Sequence, residues 1–186
     1  SLLTSSINNI FKISAIKLCR YFNEQYGTNF LSVMPTNLYG PHDNFNLETS
    51  HVLPALIRKM YLGKCLQNAD FNTMRKDLQK YPIRNYDVTE INDKEIPNLL
   101  SGFGIKTGSS SLSTAVEIWG SGKPYREFLY VDDLADACVF LMEHYDYKDI
   151  GEFINIGAGK DIEIRDLAEL VKNTIGFEGE IQYDLS

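Results

Sequence analysis

Five stretches carry residue types that could do chemistry, and each also has a plain structural reading. "SSINNIFKISAIKLCRYF" places Lys12 near the start of a long helical periodicity, as either a solvated residue or a catalytic lysine without its partner. "MPTNLYGP" (residues 34–41) follows an apolar run. At the carboxyl end of a strand in an open α/β sheet such a loop offers amides and hydroxyls to a ligand; it reads equally as an Asn/Gly/Pro turn. "SHVLP" puts His51 at a helix entry with Ser50 as the expected N-cap. An imidazole there suits proton transfer near neutral pH, against the plainer reading of a surface or capping residue. "WGSGKPYREF" is a glycine loop between strands, with Trp119 and Arg126 at its flanks. Arginine grips diphosphates bidentately and tryptophan stacks on a flat base, whereas the plain alternative is a hairpin with a core Trp119 and a surface Arg126. "VDDLADA" is most simply a helix start capped by an aspartate.

The elements that must position these residues alternate along the chain. Ile7, Phe11, Ala15, Leu18, Phe22 and Tyr26 recur at helical spacing and Gly27 stops the run. "FLSVMP" reads as a buried strand, and "TNLYGPHDNFNLETS" as loop. "HVLPALIRKMYLGKC" reads as a helix with an apolar face and a basic edge. Residues 66–114 are polar and weakly periodic, predicting an insertion with one or two helices and a mobile glycine- and serine-rich tail. "AVEIWG", "EFLYV", "EFINIG" and "EIQYD" read as strands, and "VDDLADACVFLMEHY" and "IRDLAELVKNTIG" as helices, the latter ended by Gly176. Strands separated by helices predict an α/β layered fold.

Bulk properties narrow the function classes. A chain of 186 residues can bury one real core. Its formal net charge of -7, from 18 basic and 25 acidic residues, argues against a nucleic-acid partner. Cys19, Cys65 and Cys138 are scattered, which suits neither a disulfide framework nor a zinc site and fits a reducing compartment. No apolar run approaches the roughly 20 residues that span a bilayer. The first residues do not pattern as a signal peptide, so the expectation is a cytoplasmic protein with no membrane partner and no metal.

The order of "VMPTNLYGPHDNF", "SHVLPALIRK", "WGSGKPYREFLYVDDLADA", "INIGAG" and "IRDLAEL" after a lysine-bearing helix closely resembles the GDP-L-fucose synthase family, extended short-chain dehydrogenase/reductases acting on nucleotide sugars. The resemblance implies the C-terminal part of an extended short-chain dehydrogenase/reductase: Rossmann-like sheet strands plus a smaller α/β substrate domain. Residues 1–40 would be the last part of the nucleotide-binding region, and residues 41–186 the substrate-binding region with its insertion at about 66–114. It also implies NADP(H) as cofactor, a GDP-sugar as substrate and a homodimer. The reaction would be epimerisation of GDP-4-keto-6-deoxy-D-mannose at C3 and C5, then reduction of its C4 ketone.

The family's residues carry over one by one. Lys12 matches the lysine of the Tyr-x-x-x-Lys pair, which holds the nicotinamide ribose. Pro35, Thr36, Asn37 and Leu38 match the stretch lining the nicotinamide. His51 matches the acid/base of epimerisation and also lies in the cofactor-lining set. Lys59, Trp119 and Arg126 match contacts of the GDP-sugar. Two departures stand out: Asn8 occupies the position four before Lys12, and no glycine-rich turn follows an N-terminal strand. The family's catalytic cysteine is matched by none of the three cysteines. Two other readings stay open: a related enzyme on another GDP-4-keto sugar such as a 6-deoxy-heptose, which the same motifs would serve, and a non-catalytic nucleotide-sugar-binding fragment, which the two departures favour.

Overall fold

A computed structural model describes residues 2–83, 86, 91–108 and 114–185, with side chains from residue 10 onward. The chain separates into two compact units. One takes the chain up to Gly40 and again from Glu127 to Lys160; the other takes Pro41–Arg126 and everything from Asp161 on. The sequence reading drew a single boundary at 40/41, whereas residues 127–160 return to the first unit. The cause is strand pairing: two strands before Gly40 take parallel partners from the later stretch, and parallel neighbours need a crossover connection.

In the first unit, helix α1 (Leu2–Tyr26) stops where Gly27 turns left-handed at φ 65°. Asn23, buried near the end of α1, fixes the exit: its side chain bonds both backbone groups of Phe30, at 2.9 and 2.8 Å, and accepts from the Thr28 hydroxyl. Strand β1 (Val33–Pro35) pairs in parallel with β6 (Ile154–Ile156), Met34 opposite Asn155. Strand β2 (Asn37–Tyr39) pairs in parallel with β5 (Tyr125–Tyr130), Leu38 opposite Leu129. Between them run α5 (Val131–His144) and the one-turn α6 (Tyr147–Ile150).

Four expectations change here. β2 lies inside the stretch read as loop. β1 was expected to be buried, yet Met34 and Pro35 are exposed, because among the described residues β1 has only β6 as a neighbour. α5 is not capped by an aspartate: Tyr130 holds the N-cap position, while Asp132 and Asp133 sit in the first turn, where carboxylates favour the positive end of the helix dipole. The α1 periodicity holds as a helix, but Phe11, Leu18, Phe22 and Tyr26 are exposed.

The second unit is built on α2 (Val52–Gln67), which buries Leu53, Leu56, Met60, Leu62 and Leu66. Helix α7 (Ile164–Ile175) follows the short strand β7 (Asp161–Glu163) and buries Ile164, Leu167, Ala168 and Val171. That spacing of three and four residues puts one apolar stripe against the core, and Gly176 closes the helix in the left-handed region as expected. A three-stranded sheet has β4 (Ala115–Trp119) at its centre, antiparallel to β3 (Ile105–Lys106) and parallel to β8 (Glu180–Asp184).

The 66–114 segment forms α3 (Phe71–Lys80), α4 (Ile96–Ser101) and β3. Asp70 caps α3 by accepting the Thr73 amide at 3.0 Å, and its bonds to the Thr73 side chain and then to that amide lower its carboxyl below the ordinary value. The segment is polar overall, but its apolar residues Leu66, Met74, Leu78, Ile83, Ile96, Leu99, Leu100 and Ile105 join Leu47, Leu62 and Cys65 in one buried cluster. Of the tail predicted to be mobile, residues 101–114, residues 109–113 lie outside the described residues, while Ile105–Lys106 form strand β3. The hairpin alternative for "WGSGKPYREF" fails, since β4 and β5 take different partners and Trp119 is 80 % exposed.

Candidate functional site

Lys59 sits on α2 one turn after Leu56, on the flank of the buried stripe, and its aliphatic stem is carried toward the sheet. Its Nζ donates to the Glu117 carbonyl at 3.1 Å and lies 5.6 Å from the centroid of the Trp119 ring. Burial pushes the amine below its ordinary value, and the Glu117 charge opposes that shift. The second unit therefore holds a partly desolvated cation against the ring of an exposed indole at the carboxyl end of β4. A desolvated cation attracts a diphosphate, and an indole offers an apolar plate to a flat base or sugar ring.

The loop after Trp119 is rigidly held. Gly120 donates its amide to the Asp184 carbonyl at 2.6 Å. Gly122 turns at φ 71°, and a Cβ there would lie 2.6 Å from a Tyr183 ring carbon. Arg165, in the first turn of α7, clamps the loop from outside: its amide donates to the Gly122 carbonyl at 2.9 Å and its Nη2 to the Ser121 carbonyl at 3.1 Å. Arg126 follows this loop, exposed, with Nη1 on the Tyr125 carbonyl at 2.7 Å and no carboxylate partner among the described residues. Its guanidinium fork is thus open for an anion. It makes no hydrogen bond with Lys59 and no ring contact with Trp119.

His51 itself occupies the N-cap position of α2, replacing the expected Ser50. Its carbonyl accepts the Ala55 amide at 3.0 Å, and no side chain caps the helix. The imidazole is exposed and free of hydrogen bonds among the described residues. The neighbouring Ser50 hydroxyl is buried without a hydrogen-bond partner.

In the first unit, Lys12 is exposed on α1 with no ion pair among the described residues. The side chain of Asn8 lies outside the described residues. The lysine of α1 that does pair is Lys17, 2.5 Å from Glu152, whose carboxyl its hydrogen bond holds below the ordinary range. Pro35, Thr36, Asn37 and Leu38 run continuously from β1 into β2. The Thr36 amide donates to the Ile156 carbonyl at 3.0 Å, while its hydroxyl is buried with no hydrogen-bond partner. Asn37 donates Nδ2 to the Glu127 carbonyl at 2.9 Å.

Several residues that build these sites carried no signal of their own in the sequence. Glu117 accepts from Lys59 and pairs with Lys106. Glu127 accepts the Gly159 amide at 2.6 Å, and a Cβ at Gly157 would strike its carboxylate, so "INIGAG" wraps this acid. Arg58 reads as part of a basic edge but is buried, bonded to Asp77, Phe45 and Tyr81. No group of three His, Cys, Asp or Glu among the described residues could hold a metal ion.

Residues 5–80 and 89–157 match the NAD dependent epimerase/dehydratase family, and the chain belongs to that family. It is 40 % identical over 190 residues to GDP-L-fucose synthase 1 of Arabidopsis thaliana, covering 99 % of this chain and 44 % of that protein. It is 41 % identical over 177 residues to GDP-L-fucose synthase of Sinorhizobium fredii, covering 95 % of this chain and 41 % of that protein. Among solved structures it is similar to a GDP-D-glycero-L-gluco-heptose synthase from Campylobacter jejuni, determined in the presence of NADPH. The TM-score there is 0.79 at 38 % identity, covering 94 % of this chain and 48 % of that one. The chain thus spans less than half the length of the relatives it matches. The α/β class read from the sequence is the class observed, with parallel strand pairs and Rossmann-like relatives. No helix among the described residues is long and apolar enough to cross a membrane.

Proposed function

We propose that this chain is the substrate-side portion of an NADP(H)-dependent GDP-sugar epimerase/reductase that makes GDP-L-fucose from GDP-4-keto-6-deoxy-D-mannose. The observation that carries the reading is the Lys59 ammonium held 5.6 Å from the centroid of an 80 % exposed Trp119 ring. A half-buried cation beside an open aromatic plate suits a molecule that joins a diphosphate to flat or ring-shaped groups. The similarity to GDP-L-fucose synthases over 95–99 % of the chain supports a GDP-sugar as that molecule.

In this reading Lys59 and Arg126 hold the diphosphate, and Trp119 packs on the base or sugar. A proton on a carbon beside a ketone is acidic enough for a positioned imidazole to remove, so His51 exchanges a proton on one face of that carbon, and a second acid/base group on the opposite face completes the inversion. On the first unit, Lys12 and the run Pro35–Leu38 hold the nicotinamide dinucleotide. The Thr36 hydroxyl fits that group, being a buried polar atom with no protein partner beside the end of β1. When bound, the dinucleotide supplies the hydride that reduces the ketone. Cytoplasmic location and a homodimer complete the proposal.

A second reading, a related reductase/epimerase for another GDP-4-keto sugar such as a 6-deoxy-heptose, is favoured by the heptose synthase match at TM-score 0.79. One experiment separates the two. The full-length protein is incubated with NADPH and either keto sugar while NADPH absorbance and products are followed. GDP-L-fucose from the deoxymannose substrate is the expected result. Turnover of the heptose substrate alone favours the second reading, and no NADPH oxidation with either removes both.

A further inference from the structure

Lys106 meets the Lys59–Trp119 arrangement through Glu117. β3 lies antiparallel to β4 with Ile105 opposite Val116 and Lys106 opposite Ala115. This register carries the Lys106 ammonium onto the Glu117 carboxylate as an ion pair, while the Glu117 carbonyl accepts from Lys59. The backbone of the 66–114 segment closes the same spot. The Glu117 amide donates to the Gly104 carbonyl at 2.7 Å. Gly104 turns at φ 77°, and a Cβ there would lie 3.0 Å from the Glu117 Cβ and 3.3 Å from the Lys59 Nζ. Glu117 therefore stands between two ammonium groups, holding one by its carboxylate and the other by its carbonyl.

We propose that Lys106 is a positioning residue of the anion site: it occupies the Glu117 carboxylate, so the Lys59 ammonium stays on the backbone carbonyl beside Trp119 and faces an incoming diphosphate. The proposal rests on the reading of Lys59 and Trp119 as contacts of a nucleoside diphosphate sugar. A carboxylate outcompetes a neutral carbonyl for an ammonium, since hydrogen bonds between ionised groups are roughly twice as strong as neutral ones. The Glu117 side chain is 20 % exposed, too little for water to replace a lost cation fully. With Lys106 uncharged, Lys59 is the cation beside Glu117, and the carboxylate captures it. Two ammonium groups and one carboxylate leave a net positive charge beside Trp119; without Lys106 that charge is gone.

Full-length protein, GDP as the probe and titration calorimetry test this. Lys106→Met weakens GDP binding about tenfold, the size of one lost charge-assisted contact. Lys106→Arg retains the affinity, and adding Glu117→Gln to Lys106→Met restores it, because an amide does not capture the ammonium. A second measurement needs no GDP: carbon-detected NMR follows titration of the Lys59 Cε, and Lys106→Met moves that titration to higher pH as the freed carboxylate turns onto Lys59. A purely structural lysine would lower the melting temperature and move neither readout. Unchanged GDP affinity in Lys106→Met, with affinity lost in Lys59→Met, overturns the proposal and leaves the site reading standing. Unchanged affinity in both variants overturns the site reading and the proposal with it. Weakened binding that Glu117→Gln fails to restore also overturns it, assigning Lys106 to the ligand directly.

Discussion

The guanidinium of Arg58 and the carboxylate of Asp77 meet at 2.8 Å inside the second unit, with Arg58 only 2 % exposed. The same guanidinium donates to the Phe45 carbonyl at 2.9 Å and to the Tyr81 carbonyl at 2.7 Å, and it lies 5.3 Å from the Tyr81 ring centroid. One side chain of α2 thereby ties α3 and the loop before α2 to the core.

This pair is satisfied but expensive to bury. Burial pushes the Asp77 carboxyl above its ordinary value, and the Arg58 charge only partly opposes the rise. Removing one partner strands the other, so Arg58→Ala should cost about 3–5 kcal/mol in denaturant unfolding. Replacing both with apolar residues of similar volume should cost far less. The sign of the pH effect follows from the raised folded-state value. The Asp77 contribution is full below the carboxyl's unfolded value and is lost as pH rises through its folded value. In Arg58→Ala that loss extends to higher pH, and melting curves taken across the acid range would show no such extension if the guanidinium were not opposing the shift.

Lys59 gives a prediction of opposite ionic type. Its amine is lowered by burial, so its stabilising contribution is present above the unfolded value near 10.5 and declines as pH falls through the depressed folded value. At neutral pH the buried ammonium is a net burden on the free protein. Lys59→Met should therefore melt at or above the wild-type temperature at neutral pH, with wild type gaining relative to it as pH rises toward 10.5. The same variant should lose GDP affinity. A lower melting temperature together with unchanged affinity would assign Lys59 to packing alone.

Gly122 should tolerate no side chain. Its left-handed φ costs an alanine roughly 1–2 kcal/mol. A Cβ 2.6 Å from the Tyr183 ring adds a clash inside a loop already clamped by Arg165. Gly122→Ala should lower the melting temperature and loosen the turn carrying Trp119, seen as faster amide exchange at Gly120. Gly120 has open space around its own Cβ position, but at φ 82° it still needs the left-handed region. Gly120→Asn should accordingly be milder than Gly122→Ala.

Legibility followed locality. α7 was readable because Ile164, Leu167, Ala168 and Val171 repeat at helical spacing and all four are buried. β2 was missed because Asn37–Tyr39 is only three residues long and sits among Asn, Gly and Pro; its parallel partner lies about ninety positions later. The 66–114 segment reads as polar because eight scattered apolar residues supply its share of the core. Arg58 reads as basic edge because the acceptors that bury it come from positions 45, 77 and 81. At the site, His51, Trp119 and Arg126 stood out by residue type in their loops and helix entry, whereas Lys59 came from resemblance to a family's strings alone. Glu117 and Lys106 did neither, because only the β3–β4 register brings them together. The sequence also presented Trp119 as a candidate core residue, and exposure reverses that, since it ends its strand at the rim of the sheet.

His51 allows the two halves of the proposed chemistry to be separated. Its imidazole is exposed at the N-cap of α2 and engages no protein partner among the described residues, which suits a group that must meet a substrate. If it takes the proton beside the ketone, His51→Gln in the full-length protein should abolish solvent deuterium incorporation at the carbon it serves. Hydride delivery draws on other groups, so a ketone already in the product configuration should still be reduced with NADPH. General acid/base groups contribute about 10²–10⁴-fold, so the epimerisation loss should be large. A helix-entry histidine without a chemical role predicts something different: a stability change of about 1 kcal/mol or less, and deuterium exchange at the wild-type rate. The cap itself should survive the substitution, because the first turn uses the His51 carbonyl and not its ring. Wild-type exchange in His51→Gln would therefore remove the residue from the mechanism, while lost exchange with retained ketone reduction places it in the proton-transfer half alone.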